Sequence, residues 1–124
     1  MITVSSGVLP LLLLSQAPQI DCENAMTQME MNYCAHEDFK AADARLNAQW
    51  SVTSAEMKRR DQAYDDASSD GRPGYFATLL SGQRAWLTYR DAHCRSEGYE
   101  ARGGSLEPLL VSSCKAHLTN LRTA

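Results

Sequence analysis

The sequence predicts an all-α protein, a small disulfide-stapled helical bundle in which one long helix packs against a helical hairpin. Three observations lead to this fold class. Apolar residues recur at spacings of three and four, no segment alternates as a strand does, and the 124 residues include four cysteines. A chain of this length has room for one domain.

The first helix is predicted within residues 27–66, which contain no Pro or Gly. Thr27 and Glu30 have the spacing of a capping box, in which each side chain bonds a free backbone amide of the first turn. The stripe that faces the core consists of Ala35, Phe39, Ala42, Leu46, Trp50, Thr53 and Met57. Residues 68–74 are rich in Ser, Gly and Pro and predict a break.

The hairpin is predicted from a second helix over residues 75–97, ended by Gly98, and a third helix after a short loop. The third helix has Ser105 as its cap and Pro108 in its first turn. Its inward residues are Leu110, Cys114, His117, Leu118 and Leu121. The candidate core of the bundle is thin, and consists of Phe39, Leu46, Trp50, Leu79, Leu80, Trp86, Leu110 and Leu118.

Residues 1–19 are predicted to be a signal peptide, which leaves residues 20–124 as the mature domain. The leader contains no charged residue, and its apolar run at residues 8–14 precedes the small-x-small triplet of residues 15–17. No basic residue follows Met1, so the n-region is weak. An apolar N-terminus or a core segment is the alternative. The run is too short for a transmembrane helix, so we expect export to a secreted or periplasmic location without stable membrane insertion.

Export changes the meaning of the four cysteines, because small exported domains use them in disulfides. Of the three possible connectivities, the two local pairings Cys22–Cys34 and Cys94–Cys114 are favoured. Zinc is the alternative, since His36, His93 and His117 each lie near a cysteine, but no pair has a standard zinc-finger spacing. We therefore expect neither a metal nor a cofactor.

Charge is unevenly distributed along the chain. The formal net charge is −3, which offers no general attraction to nucleic acid. Residues 21–70 hold eleven acidic and five basic side chains, whereas residues 71–124 hold four acidic and seven basic ones. The first helix is thus the acidic side of the protein and could steer a basic partner toward it.

Five short motifs follow one another along the mature chain. They are Cys22 with Thr-Gln-Met-Glu-Met-Asn-Tyr-Cys at 27–34, Ala-Asp-Ala-Arg-Leu-Asn at 42–47, Gln-Arg-Ala-Trp-Leu-Thr-Tyr-Arg-Asp-Ala-His-Cys at 83–94, Gly-Gly-Ser at 103–105, and Cys114 before Leu-Thr-Asn-Leu-Arg at 118–122. In this order they resemble the LprI-like family, small secreted bacterial domains named after a lysozyme-inhibitor lipoprotein. Residues 51–75 depart from the family pattern, being polar and short.

The resemblance implies a disulfide-stapled helical domain, in agreement with the periodicity, and lysozyme inhibition in some members. The expected function is that of a secreted or periplasmic binding protein that occludes a muramidase sterically. The alternative is a cell-envelope interaction or adaptor module that does not inhibit lysozyme. The expected partner is lysozyme or another basic envelope protein, and the oligomeric state stays open.

Six polar and aromatic residues are candidates for either a catalytic site or a structural network: Asp43, Asn47, Gln83, Trp86, Arg90 and Asp91. We favour a network, in which Arg90 spans two helices to Asp43 or Asn47 in a bidentate pairing, with Trp86 packed over it. The chain has no Gly-rich phosphate loop, nucleophile elbow or helical His pair, so we expect no enzyme activity.

The connection between the second and third helices is the segment best suited to enter a cleft. It offers an aromatic ring and a guanidinium, which are both enriched at protein interfaces. The predicted partner-binding residues are Tyr99, Arg102, Gly103, Gly104 and Ser105. A plain connection whose glycines permit the turn is the alternative.

Overall fold

The computed structural model describes residues 19–64 and 70–124. Its helices are α1 (Gln28–Ala63), α2 (Tyr75–Gly98) and α3 (Glu107–Thr123), with short 3-10 turns at Cys22–Asn24 and Tyr99–Ala101. These two described segments contain no strand, and the predicted all-α fold is confirmed. The predicted signal peptide lies outside the described residues apart from Gln19, and the predicted break at 68–74 is described only from Asp70 onward.

The start of α1 is the predicted capping box. The Glu30 amide donates to Thr27 Oγ1 at 3.1 Å, and the Glu30 carboxylate accepts from the amides of Met26 and Thr27 at 2.9 and 3.1 Å. From there α1 runs without interruption for 36 residues, a length of about 54 Å. This helix is the element against which the other two pack.

Hydrogen bonds at the helix ends determine the topology. Both oxygens of Asp61, near the end of α1, accept from the first amides of α2, so α2 runs antiparallel to α1. Asn32 Nδ2 donates to the Ser105 carbonyl at 2.9 Å, and Arg45 Nη2 donates to Asn120 Oδ1 at 2.9 Å. Because these two contacts join α1 to the start and end of α3, α3 runs parallel to α1 and covers only its first half.

The bundle therefore has two unlike halves. We define the three-helix half as α3 together with residues 28–49 of α1 and residues 83–98 of α2, and α3 contacts both of the other helices. In the two-helix half, residues 50–63 of α1 face residues 75–82 of α2 without a third helix. No helix among the described residues combines the length and apolar character needed to cross a bilayer.

The core is small and lies in the three-helix half. Its buried apolar and sulfur-containing residues are Cys34, Ala35, Ala42, Leu46, Cys94 and Ala116. Of the predicted core residues, Leu46 is buried, and the other seven are only half-buried. Ala42 and Ala116 are buried in this half, and such small side chains let neighbouring helices approach closely.

Three predictions about α3 were wrong. His117 is exposed, and Leu121 is 61% exposed, although both were expected to face inward. The buried face instead runs through Ala116 and Thr119, because α3 contacts α1 through its small residues. Ser105 does not cap α3, which begins at Glu107. The carbonyl of Ser105 instead accepts a hydrogen bond from Asn32 of α1.

The predicted disulfide pairing is confirmed. The Cα atoms of Cys22 and Cys34 are 5.6 Å apart, and those of Cys94 and Cys114 are 5.4 Å apart. The first disulfide fastens the segment before α1 to the second turn of that helix, and the second joins α2 to α3. All four thiols are consumed, so the zinc alternative has no thiolate ligand left.

Candidate functional site

The polar centre of the bundle is the guanidinium of Arg90, which is 6% exposed. Its Nη1 donates to Asp43 Oδ1 on α1 and to Thr119 Oγ1 on α3, both at 3.3 Å. Its Nε donates to Asp91 Oδ1 at 3.0 Å. One side chain of α2 thus links all three helices, and two carboxylates balance its charge.

Two aromatic rings cover this centre. The Arg90 Cζ atom lies 5.0 Å from the ring centroid of Phe39 and 5.4 Å from that of Trp86. Lys115 Nζ lies 5.4 Å from the Phe39 centroid, and Arg122 Cζ lies 5.7 Å from the Trp86 centroid. Such contacts are worth about 0.5–1 kcal/mol at exposed sites and more when desolvated, so the rings help to hold three neighbouring cations together.

The residues of the predicted network that meet at this centre are Asp43, Trp86, Arg90 and Asp91. Asn47 lies at its edge, where its amide donates to Asp43 Oδ2 at 3.5 Å. Gln83 accepts instead from Arg122 Nε at 3.0 Å. The guanidinium of Arg90 is shared between two carboxylates rather than paired bidentately with one.

Sequence reasoning missed Thr119, which is fully buried and contributes the α3 side of the network. Its hydroxyl accepts from Arg90, and its carbonyl accepts from Thr123 Oγ1 at 2.9 Å. A Thr beside leucines on a surface-like stretch carries no signal of burial. Its spacing of three residues from Ala116 was the available clue, since two small residues at that spacing mark a close helix contact.

Catalytic chemistry finds little support in the surface clefts. A shallow groove of about 200 Å³ at the end of α3 has no carboxylate or imidazole in its lining, which consists of Leu46, Gln49, Trp50, Thr53, Leu79, Gln83 and Arg122. A second cleft, beside the α2–α3 connection, includes the Glu107 carboxylate, which accepts from the Gly103 amide at 2.6 Å. Within residues 19–64 and 70–124, no three His, Cys, Asp or Glu side chains are grouped to hold a metal ion. Neither of these two clefts brings a general acid and a general base together.

The connection predicted to bind a partner is a tightly bonded turn. Gly103 has a φ of +78°, a conformation that glycine adopts without strain, and its amide is bonded by Glu107. The Gly104 amide donates to the Ala101 carbonyl at 2.9 Å. The Arg102 Cζ atom lies 4.5 Å above the centroid of the exposed Tyr99 ring. This segment is thus ordered before any partner arrives.

Further exposed apolar side chains lie at the same end of the molecule. Met26 and Met29 are 84% and 75% exposed, and Tyr33, one turn farther along α1, is also exposed. The Asn32–Ser105 hydrogen bond places the α2–α3 connection beside these turns. We define the loop-end surface as Met26, Met29, Tyr33, Tyr99, Arg102 and Leu106. Only its Tyr99 and Arg102 were predicted, and the position of Met29 and Tyr33 off the buried stripe was the signal for the others.

Acidic groups at this end keep their charge well below neutral pH. Hydrogen bonds from the Asn24 side chain and the Glu23 amide hold the pKa of Asp21 below its usual range. The amides of Met26 and Thr27 lower the pKa of Glu30 in the same way. These carboxylates therefore add to the negative potential of the α1 side at neutral pH.

Comparison with known proteins gives two matches. The family model described as lysozyme inhibitor LprI matches residues 21–124. A protein of Rhizobium meliloti (strain 1021), described as uncharacterized, is 46% identical over 110 residues, which cover 89% of this chain and 78% of that protein. No solved structure matches the chain. The family match covers the whole helical domain and confirms the resemblance read from the motifs: the chain belongs to the LprI lysozyme inhibitor family.

Proposed function

We propose that this protein is a secreted or periplasmic inhibitor that occludes the substrate cleft of a muramidase. The observation that carries the proposal is the family match over residues 21–124, which includes α1, α2, α3 and both disulfides. The disulfides support an oxidising compartment, because such bonds persist outside the cytoplasm. The lack of an acid–base pair in the described clefts fits a role in binding.

The α2–α3 connection, with Tyr99 and Arg102, is the part of the loop-end surface proposed to enter the cleft. Tyr99 is exposed, and the Arg102 guanidinium stacks on it, so the two side chains support one another. The Gly103–Glu107 and Asn32–Ser105 hydrogen bonds hold the backbone beneath them. A segment ordered in advance loses little conformational entropy on binding, which favours affinity.

The charge distribution supports encounter with a basic partner. Residues 21–70 carry a surplus of six negative charges, and Asp21 and Glu30 lie at the same end as the connection. A basic lysozyme is drawn to such a face, and the attraction raises the association rate more than the final affinity. Inhibition should therefore set in more slowly at high salt.

A cell-wall lysis assay with the purified, oxidised protein tests the proposal. We expect micromolar protein to slow lysis by at least one class of lysozyme. Tyr99→Ala should weaken inhibition about tenfold or more, because an aromatic anchor is removed. Tyr89→Ala is the matched control, since Tyr89 is 55% exposed against 45% for Tyr99 but lies on α2 away from the loop end. Unslowed lysis with every lysozyme class at this concentration rejects the proposal.

The alternative function is that of a cell-envelope adaptor with no effect on lysozyme. The exposure of Met26, Met29 and Tyr33 favours it, because these side chains extend the loop-end surface beyond what a narrow cleft admits. An adaptor would bind another envelope protein while leaving lysis unchanged. The same assay, combined with a binding measurement, separates the two functions.

The proposed signal peptide has its own test. If residues 1–19 direct export and are then removed, protein recovered from the periplasm or medium should have the mass of a chain that starts near Ile20. Recovery of the full chain from the cytoplasm, with reduced cysteines, would contradict the proposed location.

A further inference from the structure

We propose that Arg102 binds the catalytic carboxylates of the muramidase, so that the inhibitor recognises the reaction centre of its target. This inference rests on the proposed function and names the chemistry by which the partner is recognised. Glycosidases of most families carry two Asp or Glu side chains that flank the scissile bond. A cation that enters the cleft meets that pair.

Within the described residues, Arg102 is one of several cations that lie near no carboxylate, as Arg84 and Arg95 also do, and it is the one among them in the α2–α3 connection. Lys40, Arg59, Arg90 and Lys115 each lie within 4.0 Å of a carboxylate of this chain. Within the described residues, no carboxylate lies that close to Arg102, whose contact is the Tyr99 ring. Arg102 is thus an exposed guanidinium that has a platform but no counter-ion.

The nearest acidic side chain along α3 is already used. Glu107 accepts from the Gly103 amide at 2.6 Å, which directs its carboxylate to the backbone of the turn rather than to the neighbouring guanidinium. The left-handed conformation of Gly103 brings that amide into position. The turn therefore presents Arg102 with its donors available to an outside anion.

One guanidinium can serve two carboxylates, as Arg90 does inside this protein. Its Nε bonds Asp91 and its Nη1 bonds Asp43. Arg102 carries the same five donors. Its contact with the Tyr99 ring already restricts its rotamers, so it loses less conformational entropy on binding. The carboxylate pair of a glycosidase offers an equivalent double acceptor.

A double-mutant cycle tests the inference. The measured quantity is the dissociation constant of wild-type and Arg102→Gln protein for a muramidase, and for the same muramidase with its two catalytic carboxylates changed to amides. We expect Arg102→Gln to weaken binding to the active enzyme by about tenfold or more, since close interfacial charge pairs couple strongly. Against the amide variant, it should cause almost no further loss.

Arg95→Gln is the matched control, because Arg95 is an exposed guanidinium in the last turn of α2 that no contact of the loop-end surface uses. It should bind both enzymes like wild type. Arg102→Lys should recover part of the loss, because it keeps the charge without the planar fork. If wild type binds the muramidase but the Arg102 and carboxylate changes add independently, the inference is overturned and the proposed function stands. If wild type binds no muramidase, both fail.

Discussion

The three-helix half and the two-helix half use different means to stay folded. The three-helix half contains both disulfides, the Arg90 network and every buried side chain of the described chain. The two-helix half has no buried residue at positions 50–63 or 75–82. It is held by the Asp61 bonds to the start of α2 and by the contact of Lys58 with the Phe76 ring.

The difference shows where order is needed. The loop-end surface lies on the three-helix half, so the segment proposed to bind is attached to the most strongly stabilised part of the molecule. A binding surface on a rigid base keeps its geometry without help from the partner. The two-helix half buries no side chain fully, and we expect it to open first in local unfolding.

Loss of the Cys94–Cys114 disulfide should have the largest effect. Replacing both residues with Ala opens a closed loop whose entropy is worth about 3 kcal/mol in the chain-entropy model. In a domain of this size, the melting temperature should fall by about 12 °C or more. Differential scanning calorimetry of the oxidised proteins measures the change.

The matched control is the Cys22–Cys34 pair, which joins residues 12 apart rather than 20, so its loop entropy is similar because that entropy grows only with the logarithm of loop length. Cys22 is exposed and lies outside the three long helices, so its release should free the segment before α1 and leave the bundle folded. We expect a smaller fall in melting temperature. An equal fall in melting temperature for the two pairs would show that Cys22–Cys34 stabilises the bundle as much as Cys94–Cys114 does.

Arg90→Met comes next. It keeps the apolar stem of the side chain but removes the bonds to Asp43, Asp91 and Thr119, and should cost about 2 kcal/mol in the free energy of unfolding. Asp43→Ala should cost less, because its side chain is 39% exposed and water can replace it around Arg90. Urea titration gives both values. An unchanged urea midpoint for Arg90→Met would show that the Arg90 network does not stabilise the fold.

Much of the fold follows from local patterns in the sequence. The Thr27–Glu30 capping box and the three- and four-residue spacings of apolar residues predict α1. The predicted export and the spacing of the cysteines along the chain predict both disulfides. These features depend on neighbours along the chain. The buried face of α3 does not, because it depends on which helices α3 contacts. Leu121 was predicted to be buried from its hydrophobicity, whereas the packing of α3 against α1 and α2 buries Thr119.

The candidate site was predictable only in part for the same reason. The chemistry of Arg90 and its carboxylates suggested a link between helices, but the sharing of one guanidinium by Asp43 and Asp91 depends on how the helices pack. Met26 and Met29 are exposed because no other described element packs over them, and the local sequence does not encode this. Patterns along a chain predict which faces are apolar more readily than which apolar faces stay uncovered.

Asp61→Ala should destabilise the two-helix half selectively. The Asp61 carboxylate bonds the amides of Tyr75 and Phe76 at 2.6 and 3.1 Å, and Gly74 leaves room for it, since a Cβ there would lie 2.6 Å from Asp61 Oδ1. Loss of such a cap costs about 1 kcal/mol. Hydrogen exchange should accelerate in the first turns of α2 and change little in α3. Asp61→Asn, which keeps one acceptor, is the control, and uniform acceleration in all helices would contradict the division into halves.

The smallest effect is the pH dependence of the α1 cap. The amides of Met26 and Thr27 lower the pKa of Glu30 in the folded protein below its unfolded value near 4.5. Its ionised form therefore stabilises the protein above pH 4.5, and this contribution disappears as the pH falls through the lower, folded pKa. Glu30→Gln keeps a hydrogen-bonding side chain in the capping box but cannot titrate.

Melting temperatures between pH 7 and pH 2 compare this group with Glu56 in the two-helix half, whose pKa is lowered to about 2 by hydrogen bonds from Arg59 and then Arg60. Glu30→Gln should flatten the stability profile just below pH 4.5, whereas Glu56→Gln should remove a dependence that continues down to about pH 2. Because Glu56 bonds only residues of its own helix, its loss should leave the loop-end surface unchanged. A Glu30→Gln profile that matches wild type would show that the capping box contributes as much with a neutral carboxyl as with a charged one.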